Sequence, residues 1–260
     1  MERIALLAAT LCYLFSFGHT LYALGAGRFR PGRFNFIAMA LGAAAQGWYL
    51  SLRGAVEHSC PIGNLSETLI FLSWSIALIY LVIGPAYRLS LMGAFTAPLL
   101  LILQIIALLL PDEISRHTSP PNPWVETHAA LSLVAFGAFG LACIAGIMFL
   151  VQEGQLKSRR PAPIFHHLPP ISILSEAILR LLWIGFFLLT LSFAAGWLAH
   201  LAVAGGKFWF SLLIWVLYAS ILAAAKIGSL TGRRFATASY SSFLLTLILL
   251  PVIQRLSSHL

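Results

Sequence analysis

The sequence predicts an all-α fold, a polytopic integral membrane bundle of about eight transmembrane helices, and three observations carry that expectation. Hydrophobic residues make up 60% of the 260 positions and charged residues 9%, with a mean hydropathy of +0.90. A water-soluble domain of this size has no core large enough to hide so much apolar surface. The apolar residues gather in eight runs, and a helix crosses the hydrocarbon with roughly 20 apolar residues. The charges collect in the short gaps between the runs. Lipid offers no partner to a free backbone N–H or C=O, so each run is expected to be helical.

The first span covers 3–24. It lacks the basic leading segment and A-x-A site of a signal peptide and runs into the Arg-rich gap G-R-F-R-P-G-R-F, so it reads as an uncleaved helix. The second covers 35–52 and the third 64–84, which opens on Asn64 and holds Glu67 one turn inside. The fourth covers 91–110. A Pro-rich gap, 111–127, follows, and its prolines favour an extended, stiff segment. The fifth span, 128–151, begins at His128. The gap Q-E-G-Q-L-K-S-R-R-P-A-P-I-F-H-H-L-P-P then leads toward a short interfacial helix with Ile171, Leu174 and Glu176. The last three spans are 177–203, 208–226 and 235–255. No soluble domain, long linker or exact repeat appears, so residues 1–260 read as a single membrane domain.

Basic residues mark cytoplasmic gaps. Arg28, Arg30 and Arg33 lie in the first gap, Arg88 in the third, Lys157, Arg159 and Arg160 in the fifth, and Lys226, Arg233 and Arg234 in the seventh. The even gaps hold little beyond Arg53, Arg116 and Lys207. This orientation puts both termini outside, with Arg3 and Arg255 on the unfavoured side, and the expected location is a bacterial inner (plasma) membrane crossed in multiple passes. The net charge of +8 reads as this orientation signal and as attraction to anionic membrane lipid, and no basic stripe points to nucleic acid. Cys12 and Cys143 fall inside spans as small apolar residues, and Cys60 stands alone in an outer gap. Without a C-x-x-C pair there is neither a dithiol redox site nor covalent haem attachment to this chain.

With this orientation His58, His117, His128, His200 and His259 lie at the outer face, and His19, His166 and His167 at the inner one. Interfaces attract polar residues, but imidazole is also the commonest axial ligand of haem iron. Trp48, Trp124, Trp197 and Trp209 also fall near the outer interface, as an aromatic belt or as a flat platform for a porphyrin. Trp124 and His128 are spaced i, i+4 and share a face if the helix starts early enough. Glu67 is costly inside a span unless neutral or paired. Asn64 three residues before it makes a capping-box-like pattern that would satisfy the helix start.

The stretch N-L-S-E-T-L-I-F-L-S-W-S at 64–75 resembles the N-L-x-E-S-L-x-F-x-S-W segment of the CcsA-like cytochrome c assembly proteins. I-G-F-F-L-L-T-L-S-F-A-A-G-W at 184–197 is similar to their G-F-P-L-L-T-x-G-x-x-S-G segment, and F-W-F-S-L-L-I-W-V-L-Y at 208–218 and T-G-R-R at 231–234 follow in the same order. The likeness covers roughly 60–255. It implies haem handled at the outer face, with two imidazoles on the iron and a Trp-rich surface on the porphyrin, so that the vinyl groups meet the C-x-x-C-H of an apocytochrome c. His128 maps onto an outer histidine of the family, and His259 is the second candidate ligand, with His117 or His200 as substitutes. Trp124, Trp197 and Trp209 are the candidate platform.

Two departures count against a complete ligation site. The family's W-G-x-x-W-x-W-D signature is reduced to A-V-A-G-G-K-F-W-F, and its late histidine is replaced by Ala223, Ala224 and Ala225. The shortened form is closer to the HemX-like or YpjD-like branch. The leading expectation is a cytochrome c biogenesis-type protein that binds or presents haem outside, as part of a haem–cytochrome c ligation system with an assembly partner. Its alternative is a non-catalytic membrane subunit or regulator of haem metabolism that binds none. A secondary transporter fits less well, because the ionisable residues sit at span ends and not at the midplane.

Overall fold

The computed structural model describes residues 2–26, 33–84, 92–111, 122–158, 169–200 and 206–258. Among the described residues eight helices follow one another: α1 Glu2–Gly25, α2 Arg33–Glu57, α3 Leu65–Ile83, α4 Met92–Leu109, α5 Pro123–Ser158, α6 Ile171–Leu198, α7 Gly206–Lys226 and α8 Gly232–Ser258. No strand occurs among the described residues.

Contacts fix an alternating arrangement. Arg53, at the end of α2, meets Glu2 at the start of α1 and Glu67 at the start of α3. Ser66 of α3 donates to the carbonyl of Ala107 near the end of α4, and His128 near the start of α5 bonds Ser192 near the end of α6. One end of the bundle therefore gathers the starts of α1, α3 and α5 with the ends of α2, α4 and α6. We refer to it as the His128 end.

The long helix α5 is the axis. It packs against α3, α6 and α8 through small residues, the usual way helices approach closely without a hydrophobic driving force between them. A Cβ on Gly137 would come 2.8 Å from the Ser75 Cβ, and one on Gly146 would come 2.9 Å from the Ala236 carbonyl. Phe139 lies against Gly185 of α6 and stacks on Tyr218 of α7 with ring centroids 3.5 Å apart.

Among the described residues seven helices are long and apolar enough to cross a membrane, and α2 is not among them. Its 25 residues span roughly 37 Å at 1.5 Å each, so length is not the obstacle. Asn35, Gln46 and Arg53 dilute its composition, yet all three are buried. Gln46 accepts from the Tyr13 hydroxyl at 2.8 Å and donates to the Ile70 carbonyl at 3.1 Å, and Asn35 donates to Thr20. The face α2 turns outward carries Phe34, Ile37, Leu41 and Trp48. Composition along a helix says nothing of which face each residue occupies.

Two helix starts lie more than three residues earlier than the sequence reading placed them, α5 at Pro123 against 128 and α6 at Ile171 against 177. Pro123 opens α5 because a proline is tolerated at the first helical position, and the Asn122 side chain accepts the Trp124 N–H at 3.0 Å. The separate interfacial helix is absent: Ile171, Leu174 and Glu176 form the first turns of a continuous α6.

Candidate functional site

The His128 end is built on a buried ionic cluster. Residues 58–64 turn the chain between α2 and α3, with His58 in the left-handed region at φ 53°. Asn64 caps α3: its side chain accepts the Glu67 N–H at 2.8 Å, and its carbonyl accepts from the Thr68 backbone and hydroxyl. The Glu67 carboxylate is 1% exposed. One oxygen accepts from the Gly63 N–H at 3.0 Å, the other from Arg53 Nε at 2.9 Å. Arg53, itself 3% exposed, also lies 3.1 Å from Glu57 and 3.5 Å from Glu2. One guanidinium thus holds three carboxylates and ties the start of α1, the end of α2 and the start of α3 together.

Cys60 sits in this turn. Burial, followed by the negative charges of Glu126 and Glu67, pushes its thiol up to about 11. A raised value means less thiolate at every pH below it, and the thiolate is the reactive form. Maleimide alkylation near neutral pH is expected to be roughly a hundredfold slower than for an unperturbed thiol and to rise about tenfold per pH unit toward that value. Stopped-flow labelling of a variant retaining Cys60 alone checks this; fast labelling at neutral pH would contradict the packed turn.

The second feature is the clamp around His128. Its Nδ1 lies 2.7 Å from the Ser192 carbonyl and 2.9 Å from the Ser192 hydroxyl. A carbonyl only accepts, so in the neutral ring Nδ1 carries the proton and Nε2 keeps a free lone pair. Nε2 has no hydrogen-bond partner among the described residues. The two serines brace the helix carbonyl behind the ring: Ser192 and Ser132 hydroxyls both donate to the His128 carbonyl, at 2.8 and 2.9 Å, and lie 2.6 Å from each other. Gly196 leaves the space the ring fills, since a Cβ there would come 3.0 Å from Nδ1. An imidazole whose Nδ1–H is held by a backbone carbonyl, with Nε2 open, is the arrangement of a metal-ligating histidine.

The tryptophans lie around this clamp. Trp124 is one turn before His128 on α5, and Trp197 directly follows Gly196 on α6. Trp209 on α7 meets Phe208 edge-on, and Phe208 meets Phe193, the neighbour of Ser192. All three indoles are exposed, at 48%, 77% and 61%, so none belongs to the packed core. His200 lies two residues past the end of α6 and four past Gly196, exposed, with φ 53°. His117 and His259 lie outside the described residues. Among the described residues no group of three or more His, Cys, Asp or Glu side chains is placed to hold a metal ion. Haem iron, already held by four porphyrin nitrogens, asks only for one or two axial side chains.

Reading the sequence missed Arg53 as the partner of Glu67, Glu57 and Glu2 as the other carboxylates held by Arg53, and Ser132, Ser192 and Gly196 as the frame of His128. The i, i+4 spacing of Arg53 and Glu57 was the available signal for the first group. For the second, Ser192 and Gly196 are spaced i, i+4 in a stretch of α6, 181–198, whose only other polar side chain apart from the Trp indoles is Thr190.

Comparison with known proteins locates these features in one matched stretch. A family model described as "Cytochrome C assembly protein" matches residues 62–259, which include Asn64, Glu67, the His128 clamp and all three tryptophans. The chain is 29% identical over 150 residues to Protein HemX of Brevibacillus brevis, covering 57% of this chain and 55% of that protein. It therefore spans only about half the length of that relative. It is 24% identical over 237 residues to the cytochrome c biogenesis protein CcsA of Chlorella vulgaris, covering 75% and 74%. With CcsA of Prochlorococcus marinus (strain MIT 9215) the identity is 26% over 232 residues, covering 76% and 74%.

Proposed function

This chain belongs to the cytochrome c assembly protein family, and from that premise we propose that it binds haem at the His128 end of its membrane bundle and presents it there to an apocytochrome c. The observation that carries the proposal is the His128 clamp, with Nδ1 bound to the Ser192 carbonyl and Nε2 open. His128 would hold the haem iron, and His200, His117 or His259 would be the candidate for a second imidazole. Trp124, Trp197 and Trp209 would offer apolar surface to the porphyrin. The Arg53–Glu67 cluster keeps the neighbouring turn 58–64 rigid. Bound haem supplies the vinyl groups that a cytochrome c joins to its cysteine thiols; this chain contributes the holding, the orientation and the exclusion of lipid.

The test is an optical titration with haemin of the detergent-purified protein. Wild type is expected to give a shifted Soret band, and His128→Ala is expected to lose it. Identical titrations for the two proteins would overturn the assignment. They would favour the second reading, a non-catalytic membrane subunit or regulator of haem metabolism. That reading is supported by Ala223–Ala225, where the family has a histidine, and by the short connection between α6 and α7.

The proposed setting is a bacterial inner membrane with the His128 end and both termini outside. In a chain otherwise free of cysteine, an impermeant maleimide applied to intact cells is expected to label His200→Cys and leave Lys157→Cys unlabelled until the membrane is opened. The reverse pattern would invert the orientation and with it the compartment in which haem is offered.

A further inference from the structure

At the opposite end of the bundle, α5 and α8 part to leave a cleft of about 330 Å³. Its walls carry Glu153, Gly154 and Lys157 from α5 and Arg233, Thr237 and Tyr240 from α8. The charges do not cancel. Lys157 is paired with Glu153 at 2.8 Å, whereas Arg233, exposed at the first turn of α8, has no ion pair among the described residues. One positive charge is left over.

The cleft is also graded. Lys157 and Arg233 stand at its mouth. Thr237 follows Arg233 at i+4 and Tyr240 at i+7, one and two turns farther into the bundle. On the other wall Gly154 and then Leu150 follow, the latter about 10 Å in from Lys157 at 1.5 Å per residue. Polar groups give way to apolar ones over the depth that separates a phosphate from the start of an acyl chain. Gly154 keeps the wall open, for a Cβ there would meet nothing within 4 Å.

We propose that this cleft binds the phosphate group of an anionic phospholipid. Arg233 and Lys157 face the phosphate oxygens, Thr237 donates to them, and the Leu150 and Tyr240 side chains line the path of the chains. A basic pocket between helices at the membrane surface is the usual setting for such a headgroup. A guanidinium presents a planar fork to phosphate oxygens. The inference is independent of haem and of which compartment the end faces.

The experiment is native mass spectrometry of the delipidated full-length protein titrated with phosphatidylglycerol, phosphatidylcholine or inorganic phosphate. Phosphatidylglycerol is expected to be retained at least tenfold better than phosphatidylcholine. The pair Lys157→Gln with Arg233→Gln is expected to cut that retention tenfold or more. Gly154→Leu, which adds bulk to the cleft wall without changing charge and whose Cβ meets nothing within 4 Å, is expected to cut it comparably. Arg234→Gln, on the same turn but outside the cleft lining, is expected to change nothing. Inorganic phosphate at millimolar concentration that displaces the lipid would uphold the phosphate site and show that the mouth alone suffices. Equal retention of the two lipids would overturn the proposal. So would a loss in the charge variants with none in Gly154→Leu, since that would be the signature of a general surface field.

Discussion

Arg53→Leu is expected to be the most destabilising single change in the chain. The guanidinium is 3% exposed and has Glu67, Glu57 and Glu2 around it. Removing one partner of a buried pair typically costs about 3–5 kcal/mol, because the other charge stays buried without compensation. Here three carboxylates would face one another, and the starts of α1 and α3 would lose their common tie to α2. Arg53→Lys keeps a charge but presents a point where the native residue presents a fork, so it should fall between wild type and Leu. Glu67→Gln keeps an acceptor for the Gly63 N–H and is expected to cost about 1–2 kcal/mol, less than Glu67→Leu, which leaves both Gly63 and Arg53 without it. Unfolding by SDS in mixed micelles ranks the four variants. An Arg53→Leu protein as stable as wild type would show that the cluster ties nothing together.

The second large effect concerns the clamp, where a graded series separates ligation from framing. His128→Gly is expected to abolish the haemin-induced Soret shift, and added imidazole is expected to restore it by entering the space the ring leaves. Gly196→Val places a side chain where the ring now packs, with its Cβ 3.0 Å from Nδ1. The displaced imidazole should weaken haem binding about 10–100-fold, the usual loss when the frame of a metal ligand is disturbed. Ser192→Ala removes the hydroxyl but leaves the backbone carbonyl that accepts from Nδ1, so only a few-fold loss is expected. A Ser192→Ala effect as large as that of His128→Gly would place the tautomer lock in the hydroxyl and contradict the carbonyl as its main partner.

How much of this was legible beforehand differs between the fold and the site. The helices were legible because lipid solvation forces long apolar runs to hydrogen-bond internally. Glu67 stood out because an acid inside an apolar run demands a reason, and His128 because it stood at the start of one. Their partners were hidden by distance along the chain. Ser192 is 64 residues from His128, and Arg53 is 14 from Glu67, so nothing short of the helix packing brings them together. The sidedness of α2 was hidden for a different reason, since its buried polar groups and its exposed apolar face average to an unremarkable composition. The start of α5 was misplaced because a proline was weighed as a breaker without the Asn122 cap that makes it a helix opener.

The central claim, that this protein holds haem through His128, is met most directly by the absorption spectrum and pyridine haemochrome of the full-length protein as purified from cells in mild detergent. The expected result is non-covalent haem at about one per chain, with a Soret band absent from His128→Ala prepared in parallel. A preparation that carries no haem, and takes up none when haemin is supplied, would contradict the account.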